Sequence, residues 1–213
     1  MTSTSESRAI QLYFDFLCPY AWRGVELADV LRREHGLHFE LRHFSLVQGN
    51  HPENPDRKAP QWWLTDQAAE GGSEAQQGSL AAFLAAQAAM RQGEEAGWRF
   101  ALALLRARHQ QKAELHRPDV LQQVAEAAGL ELPTFQQDLQ DDAGLRAALR
   151  QDLQDSAALG VFGTPTFQLP EGGAAYFRYA NLVTDPAQAL ALWQLYTSVL
   201  SDDARIETIK RPR

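Results

Sequence analysis

The 213-residue chain holds one cysteine, Cys18, and two methionines. A lone cysteine excludes an intramolecular disulfide framework and leaves too few thiolates for a structural zinc cluster. No apolar run reaches about 18 residues, so no segment is expected to span a membrane. Positive charge is also short: 20 Lys and Arg stand against 27 Asp and Glu, a formal net charge of −7. That balance argues against a nucleic-acid backbone as partner. The six histidines, at 35, 38, 43, 51, 109 and 116, show no metal-ligand spacing on a helix. No Gly-x-Gly-x-x-Gly or phosphate loop follows a strand, so neither a metal nor a nucleotide is implied. The segment Met1–Arg8 is polar and without an apolar signal core, which leads to the expectation of a cytoplasmic protein with a reduced thiol.

What is present is an ordinary globular composition, 45 % hydrophobic and 22 % charged, enough for one elaborated domain or two packed ones. Ile10 to Phe16 alternates and is rich in β-formers, predicting a strand. A helix beginning at Pro19 runs to about His35, with Val25, Leu27, Ala28, Val30 and Leu31 as its apolar face and Gly36 as its stop. Leu37 to Phe44 alternates again. The first 44 residues therefore read as a βαβ unit with parallel strands.

Gln48 to Pro60 is rich in breakers and reads as a loop. From Gln61 to Leu159 the composition turns to Ala, Gln, Leu, Glu and Arg, which predicts four or five helices. Breaks are expected near Gly71-Gly72, Gly93, Arg117-Pro118 and Gly129 to Pro133. Trp62-Trp63 reads as helical packing between the two parts, and the acidic, glutamine-rich stretch Gln136 to Asp155 as a solvated helix face. Thr166–Leu169 and Ala174–Tyr179 flank a Pro-Glu-Gly-Gly turn and predict a hairpin. A last helix, capped by Asp185 with Pro186 at its first position, runs to about Leu200, and Ser201–Arg213 is a charged tail without a packing signal. The expected fold class is α/β: a mixed sheet from residues 1–59 and 160–213, with a large helical insertion over 60–159.

Two residues stand out chemically. Cys18 lies where a parallel strand ends and a helix begins, a position where ligands gather. The helix N-terminus offers unpaired N–H groups and partial positive charge, which favour a thiolate, the nucleophilic form. Arg23, one turn on, could add to that field. The alternative is a buried small hydrophobe. Pro165 precedes a strand that should pair with neighbours, where proline cannot donate to a ladder. A cis Thr164–Pro165 bond would turn the chain and leave the Thr164 backbone open to a ligand, whereas an ordinary trans proline would simply start the strand.

Together, Phe14-Asp15-Phe16-Leu17-Cys18-Pro19-Tyr20-Ala21-Trp22 and Gly160-Val161-Phe162-Gly163-Thr164-Pro165-Thr166-Phe167 resemble the DsbA-like branch of the thioredoxin superfamily. That branch includes FrnE-type oxidoreductases, kappa-class glutathione transferases and 2-hydroxychromene-2-carboxylate isomerases. The resemblance covers nearly the whole chain and implies a thioredoxin-like fold, a cis Pro165 facing the active-site helix, and Cys18 as catalytic residue. Dithiol members carry Cys-x-x-Cys, but the fourth position here is Ala21. Without a resolving cysteine, a mixed disulfide at Cys18 is released only by an outside thiol. The expected function is a thiol–disulfide oxidoreductase acting through Cys18 with a low-molecular-weight, glutathione-like thiol as co-substrate and a small-molecule or protein disulfide as substrate. No tightly bound cofactor is implied.

The same resemblance supports an alternative. Kappa transferases and chromene isomerases have serine where Cys18 stands, followed downstream by a Gly-Asn-x-Pro element that Gly49-Asn50-His51-Pro52 matches. The resemblance implies Asn50 and Lys58 as small-thiol ligands beside Pro19, Tyr20, Thr164 and Pro165; a plain Asn/Pro turn is the other reading of residues 49–52. A transferase-like or isomerase-like enzyme and a catalytically silent binding module therefore stand as alternatives. The kappa-class resemblance is also compatible with a homodimer.

Overall fold

The computed structural model describes residues 9–209; the polar start Met1–Arg8 and the last four residues of the expected tail lie outside them. Among the described residues, strand β1 (Ile10–Phe14) leads into helix α1 (Pro19–His35), and β2 (Phe39–His43) follows. Pro19 occupies the first turn of α1, where a missing N–H is harmless, and Gly36 closes the helix in the left-handed region at φ 66°. Arg32, Arg33 and His35 fill the last turn, where cations complement the helix dipole. β1 and β2 pair in parallel, Ile10 opposite Phe39 through Phe14 opposite His43.

A short helix α2 (Leu46–Gly49) opens what reads from sequence as a loop, because the Ser45 side chain caps it by accepting from the Gln48 N–H. After a single 3₁₀ turn at Leu64–Asp66 come α3 (Glu74–Met90), α4 (Glu94–Gln111), α5 (Pro118–Ala127), α6 (Leu132–Leu139) and α7 (Asp142–Leu159). Trp62 and Trp63 are not helical: Trp62 stacks on His51 at 4.1 Å and Trp63 lies under Arg150 at 3.9 Å. The expected solvated face over 136–155 is likewise corrected. Asp141 caps a new helix through the Gly144 N–H, splitting the stretch into α6 and α7, and Asp152 turns into the interior.

Strands β3 (Thr166–Gln168) and β4 (Ala174–Tyr176) form the expected hairpin, and α8 (Pro186–Leu200) starts from the Asp185 cap. The sheet order is β2-β1-β3-β4, with β1 parallel to β2 and antiparallel to β3, a mixed sheet with the helical block inserted between β2 and β3. Behind it Phe39, Phe167, Trp193 and Tyr196 pack ring against ring at 5.1–6.2 Å. Each such buried ring contributes roughly 1.5–3 kcal/mol relative to exposure, which holds α8 against the sheet.

The sheet register sets the site. Tyr13 stands opposite Thr166 in the antiparallel pair, so two residues beyond this pair the chain passes Asp15 on one strand and Thr164 on the other. Cys18 follows Asp15 by one turn and donates its N–H to the Asp15 carbonyl at 3.1 Å.

Candidate active site

Cys18 is the N-cap of α1, with extended φ and ψ of −93° and 117° and no capping bond from its side chain. Its sulfur therefore sits beside the first turn of α1, whose leading N–H groups have no intrahelical partner. The thiol is buried, and Sγ donates to the Thr164 carbonyl oxygen at 3.4 Å. The Thr164–Pro165 peptide bond is cis. The Pro165 carbonyl accepts from the Phe177 N–H, and the Thr166 hydroxyl donates to the Gly163 carbonyl, so the turn is pinned from both sides. The buried Thr164 hydroxyl has no hydrogen-bond partner among protein atoms.

Gly24, one and a half turns into α1, lets the helix meet this turn. A Cβ built there would lie 2.6 Å from Pro165 Cβ and 2.7 Å from Cγ, closer than any real side chain tolerates. Asp15 ties the segment before Cys18 to the start of α2. One carboxylate oxygen accepts from Leu17 N–H at 2.8 Å and the other from Leu46 N–H at 2.7 Å. Burial outweighs these bonds and raises its carboxyl to about 6. A charged residue within the apolar run Ile10–Phe16 was the visible signal for this role.

The structure divides the other expected site residues into two groups. Pro19 is exposed and Tyr20 half-buried at the start of α1; the Tyr20 hydroxyl accepts from Arg178, whose guanidinium lies 3.7 Å from the ring centroid. Arg23 turns towards the Tyr179 carbonyl at 3.3 Å. Across the Gly160–Pro165 turn, Asn50 is exposed and its Oδ1 accepts from Arg57 Nη2 at 2.9 Å. The same guanidinium donates to the carbonyls of Gly49 at 2.8 Å and Phe162 at 3.0 Å. Lys58 packs along Gly160, its Cε 2.8 Å from where a Cβ would stand. Asn50 and Lys58 are thus brought to the turn that precedes Pro165, Asn50 through Arg57 and Lys58 along Gly160.

His43 is interior. Its Nδ1–H donates to Asp152 at 2.8 Å, its backbone N–H reaches the same oxygen at 3.2 Å, and Arg42 holds the other oxygen at 2.9 Å. Burial pushes the Asp152 carboxyl up, but the hydrogen bonds and charges of His43 and Arg42 hold it below the usual range. The spacing Leu145, Leu149, Asp152, Ser156 along the buried face of α7 could have identified Asp152 as interior. Nothing local marks Arg178 as a neighbour of Tyr20.

A lone buried sulfur at a helix N-terminus, faced by a backbone carbonyl, can form one covalent bond to an incoming sulfur but no internal disulfide. A family model described as DSBA-like thioredoxin domain matches residues 9–188. The ClpXP adapter protein SpxH of Halalkalibacterium halodurans is 28 % identical over 183 residues, covering 74 % of this chain and 57 % of SpxH. The chain thus spans little more than half the length of that curated relative. Among solved structures, the cytosolic disulfide reductase DsbM from Pseudomonas aeruginosa with GSH gives a TM-score of 0.59 at 16 % identity, covering 89 % of this chain and 98 % of that one. A 2-hydroxychromene-2-carboxylate isomerase gives 0.60 at 13 % identity, covering 94 % and 100 %. At these identities the structural likeness carries the fold alone.

Proposed function

The chain belongs to the DSBA-like thioredoxin domain family, and from that premise we propose that it is a thiol–disulfide oxidoreductase acting through Cys18 alone, with a low-molecular-weight thiol as the second reductant. The observation that carries this reading is the placement of a single free cysteine at the α1 N-terminus against Thr164, next to cis Pro165.

In the first step the Cys18 thiolate attacks one sulfur of a disulfide, forming a protein–substrate mixed disulfide. The other sulfur leaves as a thiolate and takes a proton from solvent. The free N–H groups at the start of α1 stabilise charge on the attacking sulfur. In the second step the small thiolate attacks the substrate sulfur of the mixed disulfide, restoring the Cys18 thiolate and releasing a substrate–small-thiol disulfide. Electrons balance: one small thiol is oxidised as one substrate sulfur is reduced. Because Ala21 stands where dithiol enzymes carry a second cysteine, the outside thiol is required. The Thr164 carbonyl and hydroxyl and Pro165 position the incoming group, Pro19 and Tyr20 border it, and Asn50 and Lys58 receive polar parts of the small thiol. A reducing, cytoplasmic setting would supply that thiol.

The Sγ–H to Thr164 contact also favours a second reading. A thiol held as a donor could hydrogen-bond a bound small thiolate, which would then attack an electrophile without forming a disulfide, as in a transferase or isomerase. Intact mass after incubation with oxidised glutathione separates the two. One glutathionyl adduct, absent from Cys18→Ser and removed by reduced glutathione with turnover, supports exchange. No adduct, with glutathione binding and activity on electrophiles retained in Cys18→Ser, overturns it in favour of the second reading; binding without either activity would leave a binding module.

A further inference from the structure

A cleft of about 1150 Å³ runs between α8, β4 with the chain following it, and residues 206–209. Its walls are apolar, formed by Val183, Leu192, Leu195 and Ile206 among others. Leu195 is 59 % exposed and Ile209 73 %, a contiguous apolar exposure of the kind that marks a binding surface. The inner end is of different character, because Tyr20, Arg23 and Arg178 close it, and Tyr20 is two residues from Cys18.

Two guanidinium groups frame the Tyr20 ring there: Arg178 at 3.7 Å from the centroid and Arg23 at 5.0 Å. Eight other arginines among the described residues are ion-paired, among them Arg32 with Glu95, Arg106 with Glu26 and Arg150 with Asp66 at 2.7–2.9 Å, while Arg57, Arg99 and Arg108 end on backbone carbonyls. Among the described residues, Arg23 and Arg178 have no carboxylate within 4.0 Å, in a chain where acids outnumber bases by 27 to 20. Glu207 also lines the cleft, but it reaches neither guanidinium. An apolar trough that ends in two carboxylate-free arginines is complementary to one kind of small molecule.

We propose that this cleft binds an amphipathic carboxylate, with its hydrocarbon body on α8 and residues 206–209 and its carboxylate held by Arg178 and Arg23. A guanidinium fork matches a carboxylate in shape and charge. The bound carboxylate lies against Tyr20, two residues along α1 from Cys18. The inference needs no thiol chemistry and stands or falls apart from the reading of Cys18.

Titration calorimetry with dodecanoate, and with dodecanol as the uncharged control, tests it. Dodecanoate is expected to bind saturably and at least about tenfold more tightly than dodecanol, the worth of a charge-assisted hydrogen bond. Arg178→Gln, at an exposed side chain whose loss leaves the fold intact, should remove that preference and leave dodecanol binding unchanged. Leu195→Glu should weaken both ligands. Equal binding of the two probes, no binding of dodecanoate, or full dodecanoate affinity in either variant would overturn the proposal.

Discussion

The sulfur of Cys18 and the carbonyl oxygen of Thr164 meet at 3.4 Å across 146 positions of sequence. The contact exists because the antiparallel pairing of β1 with β3 carries Thr164 past the end of β1, where α1 begins. The Thr164 side chain adds a buried hydroxyl without a protein partner. Leaving such a group unpaired costs about 1–3 kcal/mol. Thr164→Val, nearly the same in shape, should therefore unfold at equal or higher urea concentration than the parent. If the hydroxyl serves the incoming thiol, the same variant raises the KM for that thiol while leaving the Cys18 adduct able to form. Urea denaturation and steady-state kinetics on one preparation check both halves.

Gly24 sits where α1 touches Pro165. An added methyl must displace the cis-proline turn or the helix, and overpacking of this kind costs about 1–3 kcal/mol. Gly24→Ala should lower the unfolding free energy by that amount and slow glutathionylation of Cys18, although the thiol itself is untouched. Denaturant titration and adduct formation followed by mass spectrometry would show it; a variant with parental values in both would remove Gly24 from the site.

Asp15 and His109 give pH dependences of opposite sign. The folded state raises the Asp15 carboxyl from 3.8 to about 6 through burial, so it holds its proton more tightly than the unfolded chain. Stability from this group is full at low pH and falls as pH rises from about 4 to 6, by about 3 kcal/mol. Burial lowers His109 from 6.5 to about 4, where its Nε2–H donates to the Phe16 carbonyl and its ring stacks on Trp22. Its contribution is present above about 6.5 and is lost as pH falls towards 4. The two slopes oppose each other across the same window. Asp15→Asn deletes one of them, so its unfolding free energy should decline more steeply than the parent's between pH 6.5 and 4. It should also lose about 1–3 kcal/mol near neutral pH, because an amide cannot accept from both Leu17 and Leu46. Equilibrium unfolding at several pH values reads both effects.

Asp152 ties α7 to the end of β2. Three donors from Arg42 and His43 converge on a carboxylate that is almost fully buried, and Gln87 adds a fourth at 3.2 Å. Asp152→Ala strands all of them and should destabilise by about 3–5 kcal/mol, whereas Asp152→Asn, which keeps an acceptor, should lose less. Thermal unfolding that ranks parent, Asn and Ala in that order supports the anchor; an unshifted Ala variant would contradict it.

How far the chain could be read without coordinates follows the reach of each physical signal. Pro19 and Gly36 delimit α1, Asp185 and Pro186 start α8, and the alternation of β1 and β2 marks strands, because capping, φ preference and side-chain periodicity act within a turn or two of chain. Cys18 was placed at a strand-to-helix junction for the same reason. The break at Gln140–Asp141 escaped because an Asp cap, with neither Gly nor Pro at the junction, is a weak mark beside a continuing run of helix formers. Asp152 looked like one more surface acid until packing set α7 against His43. Tyr20 with Arg178, and Cys18 with Thr164, are neighbours only after β3 has paired with β1 across more than a hundred residues and β4 has paired with β3. Local chemistry is thus determined by the sequence itself, residue by residue; which groups share one site was decided by sheet register and helix packing, where distant segments bury their apolar faces together.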